Sequence, residues 1–128
     1  MGRRVLPPAN VVAALEPFFG SEVALVKVIE YSWIARAHLP AVATTRRRRI
    51  YLRGSAESFF NDPVLMLHEY CHVLKQWEPG ELTTMRYVGE CMRRGYWENR
   101  FEIEAREFAA DNLYRFRALL SRNFSRER

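Results

Sequence analysis

His68-Glu69-Tyr70-Cys71-His72 sets two imidazoles and a carboxylate within five consecutive positions, inside an apolar stretch. On a helix, residues four apart leave the same face, so both rings can share one metal ion. Glu69 leaves beside them, close enough to hydrogen-bond a water on that metal. Such an HExxH segment predicts a Zn2+ site and hydrolysis by a metal-activated water, with Glu69 as general base. The plainer alternative is a core helix whose histidines only hydrogen-bond.

A catalytic zinc takes three protein groups and keeps one position open. Candidates for the third group lie on a later helical stretch: Glu102, Glu104, Glu107 and Asp111. At 100° per residue, its apolar stripe is Phe101, Ala105, Phe108, Ala109, Phe116 and Leu120. Glu102 lies on the edge of that stripe, about 65° from its centre, whereas Glu107 is nearly opposite. Glu102 is therefore the expected ligand, with Glu107 as the alternative.

The neighbouring residues supply elements to carry these groups. Pro63 suits the first turn of a helix that Asn61 or Asp62 can cap. Val64, Leu65, Leu67, Val73 and Leu74 would bury it, and Pro79-Gly80 would stop it near Trp77. A first helix is expected over 9–19, interrupted by Pro17 and ended by Gly20. A strand is expected over 23–33, a turn near 38–40 and more strand over 42–53. In that last stretch Arg48, Ile50 and Leu52 alternate with Arg47, Arg49, Tyr51 and Arg53. A loop should follow over 54–62, then a helix over 81–94 ending at Gly95. A last helix capped by Asn99 should reach about Leu120, with a frayed basic tail over 121–128.

His68-Glu69-Tyr70-Cys71-His72, followed thirty positions after His72 by Glu102 in Asn99-Arg100-Phe101-Glu102-Ile103-Glu104-Ala105-Arg106, resembles the gluzincin group of zinc metallopeptidases. Within it, the chain is similar to small bacterial stand-alone zincin domains and to minigluzincins, over about residues 42–110. Arg48-Arg49-Ile50-Tyr51-Leu52, His72-Val73-Leu74-Lys75-Gln76-Trp77 and Gly95-Tyr96 add to the likeness. The resemblance implies zinc held by His68, His72 and Glu102, with Glu69 as catalytic base. Many relatives carry an aspartate four positions after the ligand glutamate, where this chain has Arg106. The same spacing recurs from Glu107 to Asp111, which keeps the register alternative open.

Other groups have weaker claims. Tyr96, Tyr87 and His38 are candidates to stabilise an oxyanion, and Tyr96 is the one placed near the glutamate helix by sequence. Cys71 leaves about 60° from His68, away from His72, and reads as core packing. Trp33, Trp77 and Trp97 read as core or cleft walls. Arg46 to Arg49 with Tyr51 could grip phosphates, but a solvated or charge-protected edge strand is the expected role.

The totals agree with a single domain over 1–128, whose smallness leaves few residues for substrate subsites. Apolar residues make up 48% and aromatics 13%, which favours a folded core over disorder. The net charge of +5 comes almost wholly from arginine, since only Lys27 and Lys75 are lysines. That bias permits nucleic-acid binding, though codon composition explains it more simply. No apolar run is long enough for a bilayer, so no membrane partner is expected. The Met1-Gly2-Arg3-Arg4 start lacks the apolar core of a signal peptide. Two cysteines make no disulfide framework, and a cytoplasmic location is expected.

The resulting expectation is an α+β domain of zincin type: a small antiparallel sheet packed on the HExxH helix and a C-terminal glutamate helix. Its substrate would be a peptide or protein. The competing expectation is a zinc-stabilised domain with little turnover that binds a protein or nucleic acid through its basic strand. Oligomeric state is open at this level.

Overall fold

Asp62 and Pro63 start the helix that carries both histidines. In the computed structural model, which describes residues 2–37 and 43–126, the Asp62 carboxylate accepts from the Leu65 amide at 3.1 Å. Pro63 takes the first turn, where a missing amide costs nothing. This helix, α4 (Pro63–Cys71), then widens into a π turn, His72–Trp77, before Pro79-Gly80. Leu67, Val73 and Leu74 are buried as expected, and Leu65 is half-buried. Val64 is exposed instead, because it lies one turn before His68 on the same open face.

Upstream, β1 (Arg3–Val5) is followed by α1 (Ala9–Phe19), with Pro17 in the last turn rather than breaking it. The expected strand over 23–33 is mostly not a strand. Residues Gly20–Leu25 wind as a 3-10 helix, β2 is only Lys27–Glu30, and α2 (Trp33–Ala37) follows. The density of β-branched residues there reflects burial of Val23, Val26 and Val28, not an extended backbone.

The stretch expected as strand over 42–53 is a hairpin of β3 (Ala43–Arg46) and β4 (Arg49–Leu52). Its turn is Arg47-Arg48, so Arg48 leaves the alternation while Ile50 and Leu52 face the core. Arg48 adopts φ 61°, a left-handed conformation that costs a non-glycine residue about 1–2 kcal/mol. Its guanidinium grips Glu78 at 2.9 and 3.3 Å, which ties the turn to the end of the π segment.

The sheet is mixed rather than antiparallel, in the order β1-β2-β4-β3. β1 and β3 run antiparallel to their neighbours, but β2 and β4 are parallel, with Val28 opposite Ile50. The chain crosses through α2 and returns along β3, so β4 enters beside β2 in the same direction. Residues 54–62 are not a plain loop. They hold α3 (Ala56–Phe60), whose first amides are met by Ser55 Oγ at 3.1 Å and Glu30 Oε1 at 2.8 Å.

α5 (Thr84–Arg94) starts at Thr83, whose Oγ1 accepts from the Arg86 amide, and ends at Gly95 with φ 77°. A positive φ there is one that glycine adopts without strain. Asn99 then caps α6 (Arg100–Arg126) by accepting from the Phe101 amide at 2.9 Å. α6 continues past Leu120, where fraying was expected, with Leu119 and Leu120 still packed against the core. α4 and α1 both pack on α6, around Leu15, Met66, Leu67, Ala109 and Phe116. No described helix is long and apolar enough to cross a membrane.

One buried group is left unsatisfied. Tyr70 is fully buried between Phe19 and Phe59, and its hydroxyl has no hydrogen-bond partner. An orphaned buried hydroxyl destabilises, so Tyr70→Phe is expected to raise stability by about 1 kcal/mol in chemical denaturation. A loss of stability would mean that a buried water satisfies the hydroxyl.

Candidate metal centre

The His68 and His72 rings leave one face of α4 and meet Glu102 from the first turn of α6. His68 Nε2 and His72 Nε2 are 3.1 Å apart, and Glu102 Oε1 lies 2.9 and 3.1 Å from them. Glu102 and His72 are buried, and His68 is half-buried. These are the residues, among those described, whose ligand atoms converge closely enough to hold a metal ion. Glu107 and Asp111 face solvent, as the helical wheel requires of positions opposite the buried stripe.

The donor set fits a divalent metal. Donors around a tetrahedral zinc lie about 3.3 Å apart, given bonds of about 2.0–2.1 Å, so these three atoms need to spread by only a few tenths of an ångström. The supporting bonds also point the lone pairs correctly. Gln76, buried in the π turn, donates through Nε2 to Phe101 O at 2.9 Å and to Glu104 Oε1 at 3.2 Å. Its Oε1 therefore faces His72 Nδ1, at 2.7 Å, and can only accept. A neutral His72 then carries its proton on Nδ1 and turns the Nε2 lone pair to the site.

Gln76 follows His72 by four residues, a spacing at which side chains along a helical segment are neighbours. Tyr87 from α5 donates to the other Glu102 oxygen at 2.6 Å, leaving Oε1 for the histidines. Asn99 holds α5 in place through Tyr87 O at 3.1 Å and Cys91 Sγ at 3.2 Å.

Electrostatics follow from this packing. Burial alone would pull His72 down, but the Glu102 hydrogen bond, then Glu69, Glu102 and Gln76, push it up to about 9. Burial likewise raises Glu102, yet hydrogen bonds from His68, His72 and Tyr87 hold it below its ordinary value. Glu69 moves the other way: burial raises it, against the nearby histidines. Its carboxylate makes no hydrogen bond among the described residues.

The remaining candidates divide clearly. Tyr87 is committed to Glu102, and His38 lies outside the described residues. Tyr96 is half-exposed and near enough to feel Glu102 and Glu69, which with burial push its hydroxyl up to about 12. Cys71 is core, its thiol pushed up to about 12 by burial. Trp77 is half-buried and donates to Thr45 Oγ1, but Trp33 and Trp97 are exposed and line no core. Trp97 is met instead by the Arg106 guanidinium, 4.2 Å from its ring. Gln76 was missed in the sequence. The available signal was its spacing, four residues after His72 on the buried side.

No family model, curated protein or solved structure matches the chain. The geometry alone carries the assignment, and it is open to direct tests. Glu102→Ala is expected to abolish tight zinc binding in a competition titration, while Glu107→Ala leaves it unchanged. Gln76→Leu should weaken it by about 10–100-fold. Greater sensitivity at Glu107 would contradict the observed helix register. In metal-free protein, a His72 raised above its unfolded value of about 6.5 stabilises fully below that pH. That contribution is lost as pH rises through about 9, so the thermal midpoint of chelator-treated protein should fall over this window. A flat profile would mean that His72 and Glu102 are not paired.

Proposed function

We propose that this protein is a zinc-dependent hydrolase of zincin type, a metallopeptidase that cleaves peptide bonds. The observation that carries this reading is Glu69: its side chain is packed beside the convergent His68, His72 and Glu102, yet its carboxylate makes no hydrogen bond among the described residues. Its oxygens are not sealed from water, since the Tyr70 hydroxyl is the buried side-chain atom left without a partner among the described residues. A general base keeps its oxygen free for substrate water.

A zinc ion held by His68, His72 and Glu102 would supply Lewis acidity, acidifying water and polarising a carbonyl. The proton work falls to Glu69. Burial raises its proton affinity, so it takes a proton from water more readily than a solvated glutamate would. The same carboxyl then delivers that proton to the leaving amine. Tyr96, which keeps its proton at neutral pH and whose hydroxyl makes no hydrogen bond among the described residues, is our assignment for the oxyanion donor. Support for the zincin-type fold is the packing of α4 on α6 beside a small sheet.

A second reading keeps the metal and gives up turnover, making the chain a zinc-stabilised interaction domain. It draws on the exposed apolar residues of α5, Met85, Val88 and Met92, which a peptidase does not require. The basic hairpin supports it less, because Arg47 and Arg48 are engaged with Glu78.

Glu69→Gln separates the two. It keeps size and polarity but cannot accept a proton. Zinc content and folding are expected to match the wild type, while cleavage of a degenerate peptide pool drops by about 10²-fold or more. Equal rates in both proteins would show that the activity comes from elsewhere. No cleavage by either zinc-loaded protein would favour the interaction domain.

A further inference from the structure

Helices on the surface of a monomer turn their apolar stripe inward. α5 does the reverse. Its inward side is polar or mixed: Glu90 is buried and accepts from the Arg100 amide at 3.3 Å, Tyr87 reaches Glu102, and Cys91 receives Asn99. Its outward side is Met85, Val88 and Met92, exposed by 86%, 48% and 83%. These positions fall within about 60° of one another on the helix, so they form a single ridge. Gly89 lies among them, and a Cβ there would meet nothing within 4 Å, which leaves a notch open to solvent. Water is a poor neighbour for such a ridge, and apolar patches of this kind mark contact surfaces.

The charges around the ridge select the occupant. Glu81 precedes the helix, and Arg93 and Arg94 close it, all exposed. Glu81 and Arg93 have no ionic partner among the described residues, and Arg94 reaches Glu90 only at 3.9 Å. An acidic partner helix or an anionic lipid surface would suit the arginines but oppose Glu81. A second copy lying antiparallel suits both ends. About a two-fold axis midway between Val88 and Gly89, each Met85 faces the other copy's Met92. Each Glu81 then approaches the other copy's Arg93, and the two helix dipoles run oppositely.

We propose that the outward ridge of α5 is the contact face of a homodimer in which two α5 helices lie antiparallel. The proposal is independent of whether the metal site turns over peptides. An 11-residue helix spans about 16 Å, so the contact is smaller than a standard interface and the dimer is a weak, reversible one.

Sedimentation equilibrium of the full chain from about 5 to 500 μM tests it. A monomer–dimer equilibrium is expected, and Met92→Asp should weaken it by about tenfold or more, with the circular dichroism spectrum unchanged. Glu81→Arg alone, or Arg93→Glu alone, should weaken it as well, and combining the two changes should restore it. A monomer at every concentration, a dimer indifferent to Met92→Asp, or no recovery in the combined charge swap would each overturn the proposal. A monomer that floats with phosphatidylserine vesicles would assign the ridge to a lipid surface and overturn it equally.

Discussion

Three polar atoms from two helices converge within about 3 Å of one another inside an apolar body, and the arrangement of the surrounding elements follows from that. Glu102 Oε1 lies between His68 and His72, so the first turn of α6 is locked to the last turn of α4. Burying a carboxylate there is costly unless its charge is met. Two imidazoles and the Tyr87 hydroxyl meet it. The Tyr87 bond in turn fixes α5, whose contacts with the body are largely polar.

A second layer of bonds gives the first one direction. Gln76 reads the backbone at Phe101 and the side chain at Glu104, and passes that alignment to His72. One fully buried amide, placed in the π turn, reaches all three. Glu69 is the exception among the buried polar groups near the site, because it receives no such support.

Much of this site was readable from residue spacing. The i, i+4 histidines and the buried edge position of Glu102 are consequences of helical periodicity, which holds wherever a helix forms. Caps at Asp62 and Asn99 were readable for the same reason, since their side chains act locally. What failed depended on distant partners. Val23 and Val26 are buried in a 3-10 segment, so their β-branched character misled about backbone shape. The parallel pairing of β2 with β4 depends on the path through α2 and β3, which local pattern does not encode. Arg48 leaves its strand for a turn that Glu78, thirty residues on, helps to hold. The spacing of Gln76 from His72 hinted at their contact, but its bonds to Phe101 and Glu104 depend on the position of α6.

Zinc K-edge absorption spectroscopy on protein loaded with one equivalent of zinc addresses the central claim most directly. The account predicts two imidazole nitrogens at about 2.0–2.1 Å and at least one carboxylate oxygen at about 2.0–2.2 Å in the zinc shell. The Glu102→Ala variant should lose that oxygen. A zinc shell without histidine nitrogen, an unchanged spectrum in Glu102→Ala, or failure to retain zinc at all would contradict it.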